Sequence, residues 1–273
     1  MSAHDVARVA ERMAFRPRVK LWEQRDRHVP FDELTVRGSF ERRAIGRITQ
    51  DACVAVVGAS GVGKSSAIAW MCSQLPDSHV ALNIPIAGVE DPGSVSEVAR
   101  LAMSIALSEI LLDASSQRDL KQARADSHTE VHTPFRISAK LGGGVIPAEV
   151  GLNLGSLQEE FDQRRLAGDF LRALNDRLVA VVAHAGITPV FVFADTQATV
   201  GADDDRRRAE TFFAGPLSAF VEHVDAPTIV AVQSHLTDES DSFERLAPTL
   251  ETLMVPHLGD HAQTAIEAIL ARH

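Results

Sequence analysis

Apolar residues in this chain follow two rhythms, and the rhythms alternate along it. Short continuous runs occur at Cys53–Val57, Val80–Ile84, Pro189–Ala194, Thr228–Val232 and Leu250–Val255. Runs of this length, bounded by glycine, proline or polar residues, predict strands buried on both faces, as in a parallel sheet. Between them the spacing becomes three and four. Val6, Val9, Ala10 and Met13 predict a helix over 3–15, and Ala44, Ile45 and Ile48 one over 40–50 with Ser39 as its cap. A helix over 64–75 is stopped by Pro76. Val95, Val98, Leu101, Ile105, Ile110 and Leu111 mark a long helix from Ser94 to about Arg124. Further helices are expected over about 157–185 and 206–224, and a last one is capped by Asp260. Two stretches fit neither rhythm. The segment after Arg16-Pro17, to about Leu34, reads as an extended polar connector, and 127–156, around Leu141-Gly-Gly-Gly-Val145, as a hairpin or extended insertion. Strands alternating with helices imply an α/β fold. The expected division is a basic N-terminal arm over 1–36, a core over 37–259 and a C-terminal helix over 260–273.

Composition narrows the class. An apolar fraction of 45% over 273 residues is enough for a sizeable core. Two cysteines, Cys53 and Cys72, exclude a disulfide framework and read as buried thiols of a reducing, cytoplasmic compartment. No apolar run approaches the ~20 residues of a membrane span, and Met-Ser-Ala-His-Asp lacks the pattern of a signal peptide. The formal charge of −10 argues against broad nucleic-acid affinity. That charge is unevenly distributed: residues 1–50 carry eleven Lys and Arg against seven acids, a net of +4. The basic arm is either a solvated segment packing on an acidic body or a contact for nucleic acid or a partner protein.

One short segment carries the chemistry. Gly58-Ala-Ser-Gly-Val-Gly-Lys64-Ser65 follows a predicted buried strand and opens a predicted helix. Glycines let the backbone curl so that several N–H groups face a phosphate, and the helix dipole faces the same anion. Lysine reaches the β- and γ-phosphates, and the following hydroxyl ligates magnesium. Gly58, Ala59, Ser60, Gly61, Val62, Gly63, Lys64, Ser65 and Ser66 therefore form the candidate nucleotide cradle, with Ser65 on Mg2+. A second magnesium ligand belongs at the end of another buried strand, where Asp195 follows Phe191-Val-Phe-Ala. The Asp-x-x-Gly and Asn-Lys-x-Asp signatures of a GTPase are not found, so ATP is the expected nucleotide.

With these motifs the chain resembles the AAA+/STAND branch of P-loop ATPases over residues 34–273. Gly58–Ser65 stands as Walker A, Phe191–Asp195 as Walker B and Ala231-Val-Gln-Ser234 as the sensor-1 strand, with Ser234 at its tip. Val36-Arg-Gly-Ser-Phe-Glu41 looks like a degraded Gly-Arg-Glu segment near the adenine. The resemblance implies a three-layer fold around a five-stranded, mainly parallel sheet in the order 5-1-4-3-2. It also implies a nucleotide-dependent switch with a protein partner or self-association as its output.

The departures concern hydrolysis and the lid. An acid normally follows the Walker B aspartate and polarises water; here the chain reads Asp195-Thr196-Gln197. Gln197 is a candidate to orient water instead, and Glu210 or one of Asp203 to Asp205 a substitute from elsewhere. Hydrolysis is accordingly expected to be slow. The lid is expected either to be reduced to the helix after Asp260 or to be missing because this polypeptide is one part of a larger system. Arg245 occupies the region of a trans-acting arginine finger, or else pairs at the surface with Glu244 or Asp241. A small-molecule kinase and a non-hydrolysing nucleotide-binding scaffold are the competing readings. His128, Glu130 and His132 read as a polar linker rather than a metal site, and Trp22 and Trp70 as packing residues.

Overall fold

The computed structural model describes residues 21–34, 39–86, 89, 91–110, 171, 172, 175, 186–196, 202–257, 263, 267 and 268. The predicted helix over 3–15, the 127–156 insertion, Gln197 and most of the 157–185 and C-terminal helices lie outside them.

All five predicted strands form, within a residue or two of their expected bounds. They are β1 (Val54–Gly58), β2 (His79–Asn83), β3 (Thr188–Phe193), β4 (Thr228–Gln233) and β5 (Glu251–Met254). They make one sheet in the order β2-β3-β4-β1-β5, parallel throughout. This is the expected order 5-1-4-3-2 read from the other edge.

Alternation along the strands divides the interior in two. Ala55, Val57, Phe191, Phe193, Val230 and Val232 join one core; Val54, Val56, Val190, Val192, Ile229 and Ala231 join the other. Both faces are covered, which is why these strands read as unbroken apolar runs. The first face is covered by helices α4 (Val95–Ile110), α5 (Ala202–Phe212), α6 (Ser218–His223) and α8 (Asp241–Leu246). The second is covered by α2 (Phe40–Ile48) and α3 (Lys64–Ser73). A single-turn helix, α1 (Phe31–Leu34), precedes them, and α7 (Ser234–Glu239) follows β4 directly.

Two local features differ from the sequence reading. The helix expected over 206–224 begins at Ala202 and passes through a π turn at Phe213–Leu217. Pro216 sits within that turn and has no N–H for an α-type bond, so the wider turn absorbs the mismatch. The expected connector before Leu34 is instead folded: Leu21–Arg27 is a 3-10 helix running on to α1. Leu21, Val29, Phe31 and Leu34 are buried, and Leu21 and Phe31 enter the second core. The polar residues between them had masked this pattern.

Cys53 and Cys72 are free and pack against the two cores. Desolvation raises both thiols, Cys72 to about 12, so neither is poised as a thiolate. Among the described residues no helix is long and apolar enough to cross a membrane.

Candidate functional site

The site forms where β1, β3 and β4 end together. Gly58 closes β1 and lies in register with Gln233 at the end of β4. Asp195 follows two residues after the end of β3. The chain then curls from Gly58 into α3 through two left-handed glycines, Gly61 at φ 79° and Gly63 at φ 94°. A side chain at Gly63 would be strained there and would meet Ser66 Oγ at 3.2 Å. Gly58 is constrained by space, because an added Cβ would lie 2.8 Å from Val62 Cγ2.

A cleft of about 400 Å3 opens over this loop. Ser60, Gly61, Gly63, Lys64 and Ser65 of the loop and helix line it together with Asp195, Thr196 and Gln233 from the ends of β3 and β4. The topology thus brings Lys64, Ser65 and Asp195 to one place, although about 130 residues separate the lysine from the aspartate. The N-terminus of α3 begins at Lys64 and adds its unpaired N–H groups to the same site.

Lys64 is folded onto its own loop: Nζ donates to the carbonyls of Gly58 at 2.7 Å and Ala59 at 2.8 Å. Burial holds its pKa below the ordinary lysine value, because the ammonium is partly stripped of water. An anion in the cleft would favour the charged form again. Asp195 Oδ1 accepts the Ile86 N–H at 3.1 Å, which ties the segment after β2 to the end of β3 and orients the carboxylate. Ser65 and Asp195 have the donor chemistry for Mg2+ bound together with phosphates: one hydroxyl and one carboxylate in a shared cleft.

The position where an acid would polarise water is settled locally. Thr196 is buried, and its hydroxyl donates to the Ala231 carbonyl of β4 at 2.6 Å. It braces two strand ends and has no group able to take a proton from water at neutral pH. Gln233 lines the cleft, whereas Ser234, the predicted sensor residue, starts α7 and is not among the lining residues. Arg245 is exposed on α8, and Glu210 is half-buried on α5; neither lines the cleft. Trp22 is exposed, and half-buried Trp70 packs with its ring 6.0 Å from that of His28.

Two features escaped the sequence reading. Gln24, from the supposed connector, lines the cleft. Glu41 is fully buried and accepts the Phe31 N–H at 2.7 Å, the Asp32 N–H at 3.0 Å and a bond from His28 Nε2 at 2.9 Å. Glu41 ends the segment read as a degraded Gly-Arg-Glu but does not line the cleft; its burial escaped the sequence reading because its partners lie nine to thirteen residues away.

No family model matches the chain, and no curated protein matches it. A solved structure, a Walker-type ATPase of Pyrococcus abyssi, is similar with a TM-score of 0.43 and 14% identity, over 85% of this chain and 57% of that one. This chain therefore spans little more than half the length of that neighbour.

Proposed function

We propose that the protein binds ATP with Mg2+ in the cleft above β1, as a P-loop ATPase of AAA+/STAND type whose nucleotide acts chiefly as a conformational switch. One observation carries the reading: Lys64, Ser65 and Asp195 line a single cleft at the end of a parallel sheet, beside a glycine loop that opens a helix. The loop amides and Lys64 hold the phosphates; Ser65 and Asp195 hold the metal, which when bound neutralises charge between phosphate oxygens. The strand order supports the AAA+/STAND assignment, since it is the order that resemblance implies.

Slow hydrolysis follows from Thr196, which spends its hydroxyl on the Ala231 carbonyl. Output through a protein partner or a second copy fits the exposed Arg245, which a neighbouring subunit would be able to reach. Residues 1–20 of the basic arm, the proposed nucleic-acid contact, lie outside the described residues, while 21–34 pack against the body of the protein.

Calorimetry with MgATP together with a turnover assay tests this reading. Wild-type protein is expected to bind and to turn over slowly, and Lys64→Ala to bind on the order of 100-fold more weakly. Rapid turnover that is lost in Lys64→Ala would keep the ATPase and remove the slow switch. Absence of wild-type binding would remove the nucleotide reading altogether. Size-exclusion profiles that are identical with and without ATP would count against self-assembly as the output.

A further inference from the structure

The segment before α2 is anchored more firmly than a connector requires. Burying a carboxylate is costly unless its oxygens are hydrogen-bonded. Glu41 has no exposed surface, and all three bonds described for it go to residues 28–32. His28 is itself buried, and its other ring nitrogen lies 3.4 Å from Ser66 Oγ on α3. Ser66 in turn donates to the Gly63 carbonyl of the glycine loop at 2.8 Å. A chain of polar contacts therefore runs from Glu41 through His28 to the loop. Four residues before His28, Gln24 lines the cleft together with Lys64 and Ser65.

On this basis, and resting on the nucleotide reading above, we propose that Gln24 is a nucleotide-contacting residue. Its amide donates to phosphate oxygens, and the Glu41–His28–Ser66 chain holds it in place. A neutral amide suits the position, since it adds a donor without a charge that would have to be desolvated. The 21–34 segment then senses occupancy: a ligand that bonds Gln24 stiffens a segment already tied to the loop through Ser66. Glu41 and His28 are positioning residues in this scheme.

The test uses the full chain and a non-hydrolysable MgATP analogue. Calorimetry compares wild type, Gln24→Ala, His28→Ala and the double variant, and hydrogen exchange follows the amides of 21–34. Gln24→Ala is expected to weaken binding about tenfold, the loss of one hydrogen bond to a charged group. The same substitution should cost much less in the His28→Ala background, because an unanchored Gln24 contributes little. The analogue should slow exchange across 21–34 in wild type. Wild-type binding with Gln24→Ala affinity within about twofold, and exchange in 21–34 indifferent to the analogue, would overturn the proposal while sparing the nucleotide site. Absence of wild-type binding would instead remove the site reading on which the proposal stands. Should His28→Ala fail to fold, Gln24→Ala and the exchange data decide the matter by themselves.

Discussion

On one face of the sheet, the Phe193 ring lies 5.3 Å from those of both Phe212 and Phe220, and Phe213 lies 5.6 Å from Phe243. On the other face Phe31 packs edge-on against Phe40 at 5.7 Å, and the polar contacts of Glu41, His28 and Ser66 are added to that layer. The two faces do different work. Tilted and edge-on aromatic packing is cohesive but indifferent to what occupies the cleft. Directional contacts between a buried carboxylate, a histidine and the Ser66 hydroxyl of α3 respond to small shifts, because hydrogen bonds weaken steeply away from good geometry. The difference between the faces is therefore one of apolar cohesion on the first against added directional polar contacts on the second.

The largest effect expected from breaking this contrast is on the aromatic face. Phe193→Ala removes a fully buried ring and should cost about 3–5 kcal/mol of unfolding free energy, measured by denaturant titration. Nucleotide affinity of the remaining folded fraction should be unchanged; a large affinity loss would mean that the two faces are coupled.

Glu41→Ala should cost less, about 2–3 kcal/mol, because two backbone N–H groups and a histidine lose their acceptor. Its signature is local. Hydrogen exchange should accelerate in 21–34 well before the sheet. Acceleration spread evenly over β1, β3 and β4 would refute the division between the faces.

The smallest effect is a fraction of a proton. Lys64 titrates below its ordinary value of 10.5 in the free protein because it is desolvated, and bound phosphate favours its charged form and raises it again. Between those two values binding must take up a proton. Affinity is therefore full at lower pH and declines as pH rises through the free-state value. Calorimetry at alkaline pH in two buffers of different ionisation enthalpy should reveal the uptake. Identical heats in both buffers would show that Lys64 does not meet the phosphates.

How far the sequence could be read followed the distance over which each feature is encoded. The strand at Val54–Gly58 and the helix at Lys64–Ser73 are local, and so is the loop between them, since glycine identity sets its left-handed turns. Asp195 was legible because a buried apolar run ends just before it. The folded course of Leu21–Leu34 was not, because its apolar residues are interleaved with charged ones and their burial depends on α3.

By itself, then, the sequence determined the α/β class, the five strands and the glycine loop with Lys64 and Ser65, all properties of neighbouring residues and their backbone preferences. Only the tertiary structure decided which polar groups meet. Thr196 bonds Ala231 across 35 positions and Ile86 bonds Asp195 across 109. Gln24 reaches the cleft from outside the motif, and Glu41 turns inward to hold the segment that carries it. Such pairings are set by which strand ends and segments the packed sheet brings together, and no local pattern of residues encodes that.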